Sequence, residues 1–441
     1  MISKNNTENE ILSTNMYFYA YSYLANNYIY SRTLLDPSNK DYLLLNQFNY
    51  SNDVSPTIIT PNYNVLYAPC PIDLTPLLGT NDYYELTLPN EIDLNNRFYV
   101  CQFIDLYTNN FYYVSPKTNP KFNKSYKIYA PDYKGHLDNT SVRAQSWYML
   151  ILVRVEIDFR KQGDLQIGIN FEENIKLNTF SYTSSGVKLP NTYNFDIKSI
   201  KANVSEFYNY FLQIAQFQVY FAVKEKYFIT EFRKLGNYVT EYPANNGCVI
   251  PYSPSTPFIN LDNAKGLIIG NEIINLVLKF YKSTDNNFWT TTADYEKNEF
   301  IPQKLEFAKK ALTAWQYIYA NNESEAIYWK NIYDNNGIPL TGTNDYTITI
   351  NDIPPTNEPG FWSITAYTID GYIYENPGQQ YFTVGQGVDS PCLIYMSNSP
   401  PTNPQSNFWL QTPPTDYYVI LRMYNTNYKS RGYTPPTINL Q

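Results

Sequence analysis

The stretch RFYVCQFIDLY, Arg97 to Tyr107, decides the class of fold. Its alternation puts Phe98, Val100, Ile104 and Leu106 on one side, with Gln102 interrupting them, and Arg97, Tyr99, Cys101, Phe103 and Asp105 on the other. That is the period of a β-strand. A polar group in such an apolar run must find partners, and we expect Gln102 and Asp105 to tie this sheet to the loop around Asn62. Arg97 and Asp105 are about 26 Å apart if the strand is straight, so each needs a partner elsewhere.

The same texture extends in both directions. In DYYELTLPN, Tyr84, Leu86 and Leu88 share a face, and from Ile338 onward DYTITI, GFWSITAY, CLIYMS and YYVILRMY all alternate. Asp370-Gly371 between two such runs is a hairpin signal, and the tail RGYTPPTINL is expected to lie extended along its domain. Helical patterns occupy other stretches: 15–32, Ser205 to Leu235 with a stop at Gly236, Asn263 to Lys282, and Pro302 through Trp315. Their aromatic stripes read as core packing. The expected fold is mainly β with a helical middle: two antiparallel β-sandwich, jelly-roll-like domains joined by a helical segment. The divisions are a helical lead over 1–45, a first sandwich over 46–195, a helical connector over 196–325 and a second sandwich over 326–441.

Composition excludes several functions. With a net charge of −8 and no Lys/Arg-rich block, nucleic acid is rejected as a partner. Cys70, Cys101, Cys248 and Cys392 form no C-x-x-C and read as buried thiols. The single histidine, His136, lies in the loop-like DYKGHLDN, so multi-histidine metal sites are impossible and a histidine-based triad is not expected. No phosphate-binding loop, nucleophile elbow or dinucleotide fingerprint is present; we expect no cofactor and no metal. Asp334 in IYDNNGIPL reads as turn chemistry rather than half of a calcium loop. MISKNNTENEILSTN has no apolar leader region and no run of about 18 apolar residues follows. The expectation is a soluble chain without signal peptide or membrane insertion. A surplus of aromatics, 46 Tyr and 24 Phe, suggests exposed aromatic patches and hence self-association or a place among other structural proteins.

At TPNYNVLYAPCPIDL, followed by RFYVCQFIDLYTNNFYYV, the chain closely resembles the family catalogued as domain of unknown function 1254. The later text IYDNNGIPLTGTNDYTITINDIPPTNEPGFWSITAYTIDGYIYENP, then QYFTVG and NFWLQTPPTDYYVILRMY, resembles its usual companion, domain of unknown function 1214. The resemblance implies two β-sandwich domains with a helical connector and brings no established reaction. Its recurrent polar positions fall on Asn62, Tyr67, Asp73, Arg97, Tyr99, Gln102, Asp105, Tyr107, Thr108 and Asn109, then on Asp334, Trp362, Asp370, Asn376, Tyr381 and Arg422. Two positions depart: Asn64 stands where the family usually has Asp, and Gln380 where it usually has Arg. Such proteins occur in bacteria and in large DNA viruses. Heavy Asn, Tyr and Ile usage with no leader suits the viral branch, placing the protein in a virion or host cytoplasm.

Two functions from different classes follow. The first is a non-catalytic binding or structural protein, a virion component contacting protein or glycan, with Asn62, Tyr67, Gln102, Asn109, Trp362 and Arg422 as binding residues. The alternative is a hydrolase- or lyase-type enzyme on a small or carbohydrate substrate. There Asp105 is the acid or base, Arg97, Tyr99 and Asn109 orient it, and Asp73 is the second carboxylate.

Overall fold

The computed structural model describes residues 8–35, 37–39, 41–50, 60–90, 96–158, 160–179, 188–191, 204–221, 223–232, 261–280, 283, 285–292, 307–374, 382–385, 388, 390–402 and 408–441. Cys248, Gly236, Pro302, Asn376, Gln380 and Tyr381 lie outside these. The chain begins with α1 (Glu8–Leu34), then β1 (Val65–Asp73), β2 (Tyr83–Thr87), β3 (Tyr99–Ile104), β4 (Asn110–Val114), β5 (Ser125–Tyr129), β6 (Ser141–Arg143) and β7 (Tyr148–Glu156). After α2 (Asp164–Glu173) and β8 (Lys176–Asn178) come α3 (Val204–Ala215), α4 (Val223–Phe232), α5 (Leu261–Phe280) and α6 (Ala308–Gln316). The last part holds β9 (Ala326–Asn331), β10 (Tyr346–Ile350), β11 (Trp362–Thr368), β12 (Thr383–Gly385), β13 (Cys392–Ser397), β14 (Trp409–Gln411), β15 (Tyr417–Tyr424), α7 (Tyr428–Arg431) and β16 (Ile438–Leu440).

These strands form four sheets, two from each β-rich part: β1-β7-β3-β4 and β6-β5-β2-β8, then β12-β11-β15-β9 and β14-β13-β10-β16. The expectation of wholly antiparallel sandwiches is corrected at two edges, where β5–β6 and β13–β14 are parallel. Before β6 a loop (130–140) carries the chain back before the strand begins, as a parallel pair requires. The tail does lie along its domain, because β16 pairs with β10.

One face of β1-β7-β3-β4 shares a core with β2, β5 and the helices: Cys70, Tyr99, Cys101, Phe103, Ile151 and Val153 pack with Tyr84, Leu86, Ile128, Phe207, Phe211 and Leu312. Residues 13–27 of α1 are buried on every side. Such a helix is interior rather than a lead. It runs against α3, α5 and α6. The divisions 1–45, 46–195 and 196–325 therefore contribute to a single apolar core. The long helix expected over Ser205 to Leu235 breaks after Ala215, where Gln218 bridges to Ser146.

Many of the described aromatics are buried. Tyr19, Tyr23, Tyr107, Phe211, Phe232 and Phe307 interlock beside α1, with Tyr23 stacked on Tyr107 at 4.8 Å. Among the described residues the exposed large aromatics are Tyr42, Tyr227, Tyr372 and Tyr428. No helix among the described residues is long and apolar enough to cross a membrane.

Candidate functional site

The second face of β1-β7-β3-β4 turns toward β12-β11-β15-β9, and the seam between these two inner sheets is the candidate site. Val65, Phe98, Val100, Leu150 and Leu152 meet Ala326, Phe361 and Tyr424 at its apolar part. The remainder is polar. On β7, the apolar run Tyr148–Glu156 is interrupted by Arg154, flanked in register by Tyr67 and Val100. On β15, YYVILRMY is interrupted by Arg422, flanked by Ser363 and Tyr328. Alternation sends Val419, Leu421 and Met423 into the second core and Arg422 to the seam.

Both guanidiniums are buried, Arg154 5% and Arg422 2% exposed. Arg154 donates to the Gln102 carbonyl oxygen Oε1 and to the Tyr319 main-chain oxygen (2.9 Å), and lies 5.6 Å from the Tyr67 ring. Arg422 donates to Tyr367 Oη (2.7 Å) and to the Thr60 main-chain oxygen (2.8 Å). Among the described residues neither has a carboxylate within ion-pair distance. A guanidinium stays protonated however deeply it is buried, so the seam carries two positive charges answered only by neutral oxygens and aromatic faces.

The loop before β1 closes this space. Tyr367 Oη donates to the Pro61 main-chain oxygen, Ser363 Oγ to Asn62 Oδ1 (3.4 Å), and Thr383 Oγ1 to Asn64 Oδ1 (2.8 Å). The Asn62 main-chain N–H donates to Tyr67 Oη (2.8 Å), while Asn62 Nδ2 is fully buried without an acceptor. Asn64, at the position where the resembled family has Asp, thus puts an amide in the seam. Tyr319, at φ 65, sits in the left-handed region and points its main-chain oxygen at both Gln102 Nε2 (3.1 Å) and Arg154.

Four of the residues singled out for binding, Asn62, Tyr67, Gln102 and Arg422, thus line one seam. Trp362 does not; it faces the second core, packed with Ile364 and Met423. Gln102 reaches Asn110 (2.6 Å), Tyr319 and Ala320 rather than the Asn62 loop, because it sits on β3 beside β4, two strands from β1. Arg154 was not singled out, although a lone Arg within MLILVRV is the same signal as Arg422 within VILRMY.

The residues named for catalysis go to separate places. Asp105 is fully buried in the turn after β3; its oxygens accept from the Asn109 main-chain N–H (2.8 Å), Asn109 Nδ2 (3.0 Å) and Gln218 Nε2 (2.7 Å). Burial raises its pKa above the usual carboxylate range. Lys310 of α6 donates to Asn109 Oδ1 (2.8 Å) and lies 5.0 Å from the Tyr107 ring; burial lowers its amine to about 8. Thr108 supplies the left-handed residue of this turn. Arg97, at the other end of β3, forms a fork with Asp164 of α2 (2.9 and 3.2 Å) and donates to the Glu156 main-chain oxygen. Tyr99 accepts from Asn119 Nδ2 (3.4 Å). Asp73 caps the turn at Thr75, accepting from its N–H (2.8 Å) and hydroxyl (2.6 Å), and burial raises its pKa.

Asp334 accepts from the N–H groups of Asn336 and Ile338, which is the expected turn chemistry. Asp370 and His136 are exposed; Cys70, Cys101 and Cys392 are buried free thiols. No group of three or more His, Cys, Asp or Glu suited to a metal occurs among the described residues.

Residues 45–178 match the family model described as Protein of unknown function (DUF1254), and residues 325–428 the one described as Protein of unknown function (DUF1214). Each match covers less than half of the chain, and both models describe proteins of unknown function. The DUF1254 segment holds Arg154 and the DUF1214 segment Arg422, so the seam is where the two meet. The VPA0106 protein from Vibrio parahaemolyticus has a similar structure, with a TM-score of 0.65 at 20% identity over 98% of this chain and 100% of that one. That likeness is one of fold. An uncharacterised protein from Burkholderia cenocepacia aligns over 96% of this chain and 87% of that one at 10% identity and a TM-score of 0.45. No curated protein matches the chain.

Proposed function

We propose that this is a non-catalytic binding protein whose ligand, a small anion, sits in the seam between its DUF1254 and DUF1214 domains. The carrying observation is the pair of buried arginines without a carboxylate, one from each inner sheet. Guanidinium forks suit carboxylate and phosphate oxygens, and the unused Asn62 Nδ2 adds a neutral donor. Unmatched buried charge is costly, and an anion relieves it.

Thermal unfolding in sodium phosphate against sodium chloride at equal ionic strength tests this. Phosphate also stabilises proteins by exclusion, an effect common to all variants, so the difference between variants is the readout. Wild type should gain more from phosphate than Arg154→Met or Arg422→Met. Equal gains in all three would contradict the proposal.

The outer sheets are kept as the place for the contacts expected from the sequence: self-association, glycans, and other proteins of a virion. Light scattering giving only the 51.4 kDa mass of one chain at low and high micromolar concentration would count against self-association.

A second reading keeps Asp105 as an acid or base, because Asn109 links it to the half-buried Lys310 amine. Glycoside hydrolysis or elimination abolished by Asp105→Asn, with the fold intact, would favour it.

A further inference from the structure

A third cation lies on the seam face. Lys330 stands on β9 opposite Ile420, two residues beyond the Tyr328–Arg422 register pair, so it is a diagonal neighbour of Arg422 on the same side of the sheet. The connection is continuous. Lys330 Nζ lies 4.2 Å from the centre of the Tyr418 ring, Tyr418 stacks on Tyr367 at 5.4 Å, and Tyr367 Oη accepts from Arg422. Like the arginines, Lys330 has no carboxylate partner among the described residues. Burial alone lowers its amine to about 8. Ser363, Thr365 and Thr383, all buried, line the adjoining strands with hydroxyls instead of acids.

We propose that the seam ligand is a dianion, with one anionic group held between Arg154 and Arg422 and the second reaching Lys330. This rests on the anion-binding reading of the seam and narrows it to molecules carrying two separated carboxylate or phosphate groups. Tyr367 and Tyr418 form the aromatic wall along which the intervening part of the ligand runs. The paired arginines fix one end by bidentate geometry, whereas the lysine acts as a point charge and tolerates variation in where the far group falls.

Calorimetric titration of acetate, malonate, succinate, glutarate and adipate into the full chain, with Lys330→Met and Lys330→Arg alongside, tests the inference. At least one dicarboxylate should bind wild type about tenfold or more tighter than acetate, as one further charge-assisted contact provides. Lys330→Met should reduce that dicarboxylate to the affinity of acetate while acetate itself is unchanged, which also shows the seam intact; Lys330→Arg should keep the preference. Acetate and every dicarboxylate binding equally, or a preference that survives in Lys330→Met, overturns the dianion and leaves the anion site standing. No binding by any of them, or binding untouched by Arg422→Met, overturns both.

Discussion

Arg154 and Arg422 are buried cations that no carboxylate answers among the described residues. Each is a single cation inside an unbroken aliphatic run, and a strand sends every second residue to the same face, so each run announces a charge forced onto a covered surface. Only pairing of the two sheets shows that they share a seam, and nothing local encodes that. Asn64 offers a test at this scale. A carboxylate at that position would answer the buried positive charge from within the chain, so Asn64→Asp should diminish the extra phosphate stabilisation of wild type. An undiminished response would place the anion away from the Asn62 loop. Gln102→Ala removes the acceptor of Arg154 and a donor to Asn110, Tyr319 and Ala320. It should cost about 1–3 kcal/mol, read as a lowered denaturation midpoint. Unchanged stability would mean that water replaces the amide without loss.

Elements were most legible where periodicity was strong. The alternation of RFYVCQFIDLY places Phe98 and Val100 at the seam and Tyr99 and Cys101 in the core, as expected, whereas Leu106, past the strand end, turns into the core. α2 carries too few apolar residues to declare a period; its position is fixed by the fork from Arg97 to Asp164. α1 shows the other limit, because a helix buried all round has no polar face to define an amphipathic pattern. Its closest neighbour is α5, where a Cβ at Gly266 would come within 2.6 Å of the Ser13 main-chain carbon. Gly266→Ala should therefore force the helices apart and cost about 1–3 kcal/mol in denaturant unfolding, despite alanine's better helix propensity. A stabilised variant would contradict this contact.

Glu156, the last residue of β7, adds a pH dependence. Burial pushes its pKa up to about 7, so between the unfolded value near 4.5 and 7 the native state holds a proton that the unfolded chain has lost. Stability from this group is full below 4.5 and is lost as pH rises through 7. Glu156→Gln keeps an acceptor for the Phe98 N–H and should be more stable than wild type at pH 8, by at most about 3 kcal/mol, the 2.5 units between 4.5 and 7 at ~1.4 kcal/mol each. Parallel stability–pH curves for the two proteins would show that Glu156 titrates normally.

At the scale of the whole molecule, two β-rich parts and a helical middle could be read from the text, because strand and helix periods differ. How they assemble could not, since core sharing among α1, the first two sheets and α3 to α6 depends on contacts distant in sequence. The same distance hid the seam, whose two arginines are separated by most of the chain. The likeness to the Vibrio parahaemolyticus protein over nearly the full length is consistent with the layers and helices forming one recurring unit. The most direct test of the central claim is a crystal structure of the full chain grown with selenate, located by the anomalous signal of selenium. The account predicts a selenate between Arg154 and Arg422, within hydrogen-bond distance of both guanidiniums and of Asn62. Selenate confined to surface lysines, with the seam occupied by side chains alone, would contradict it.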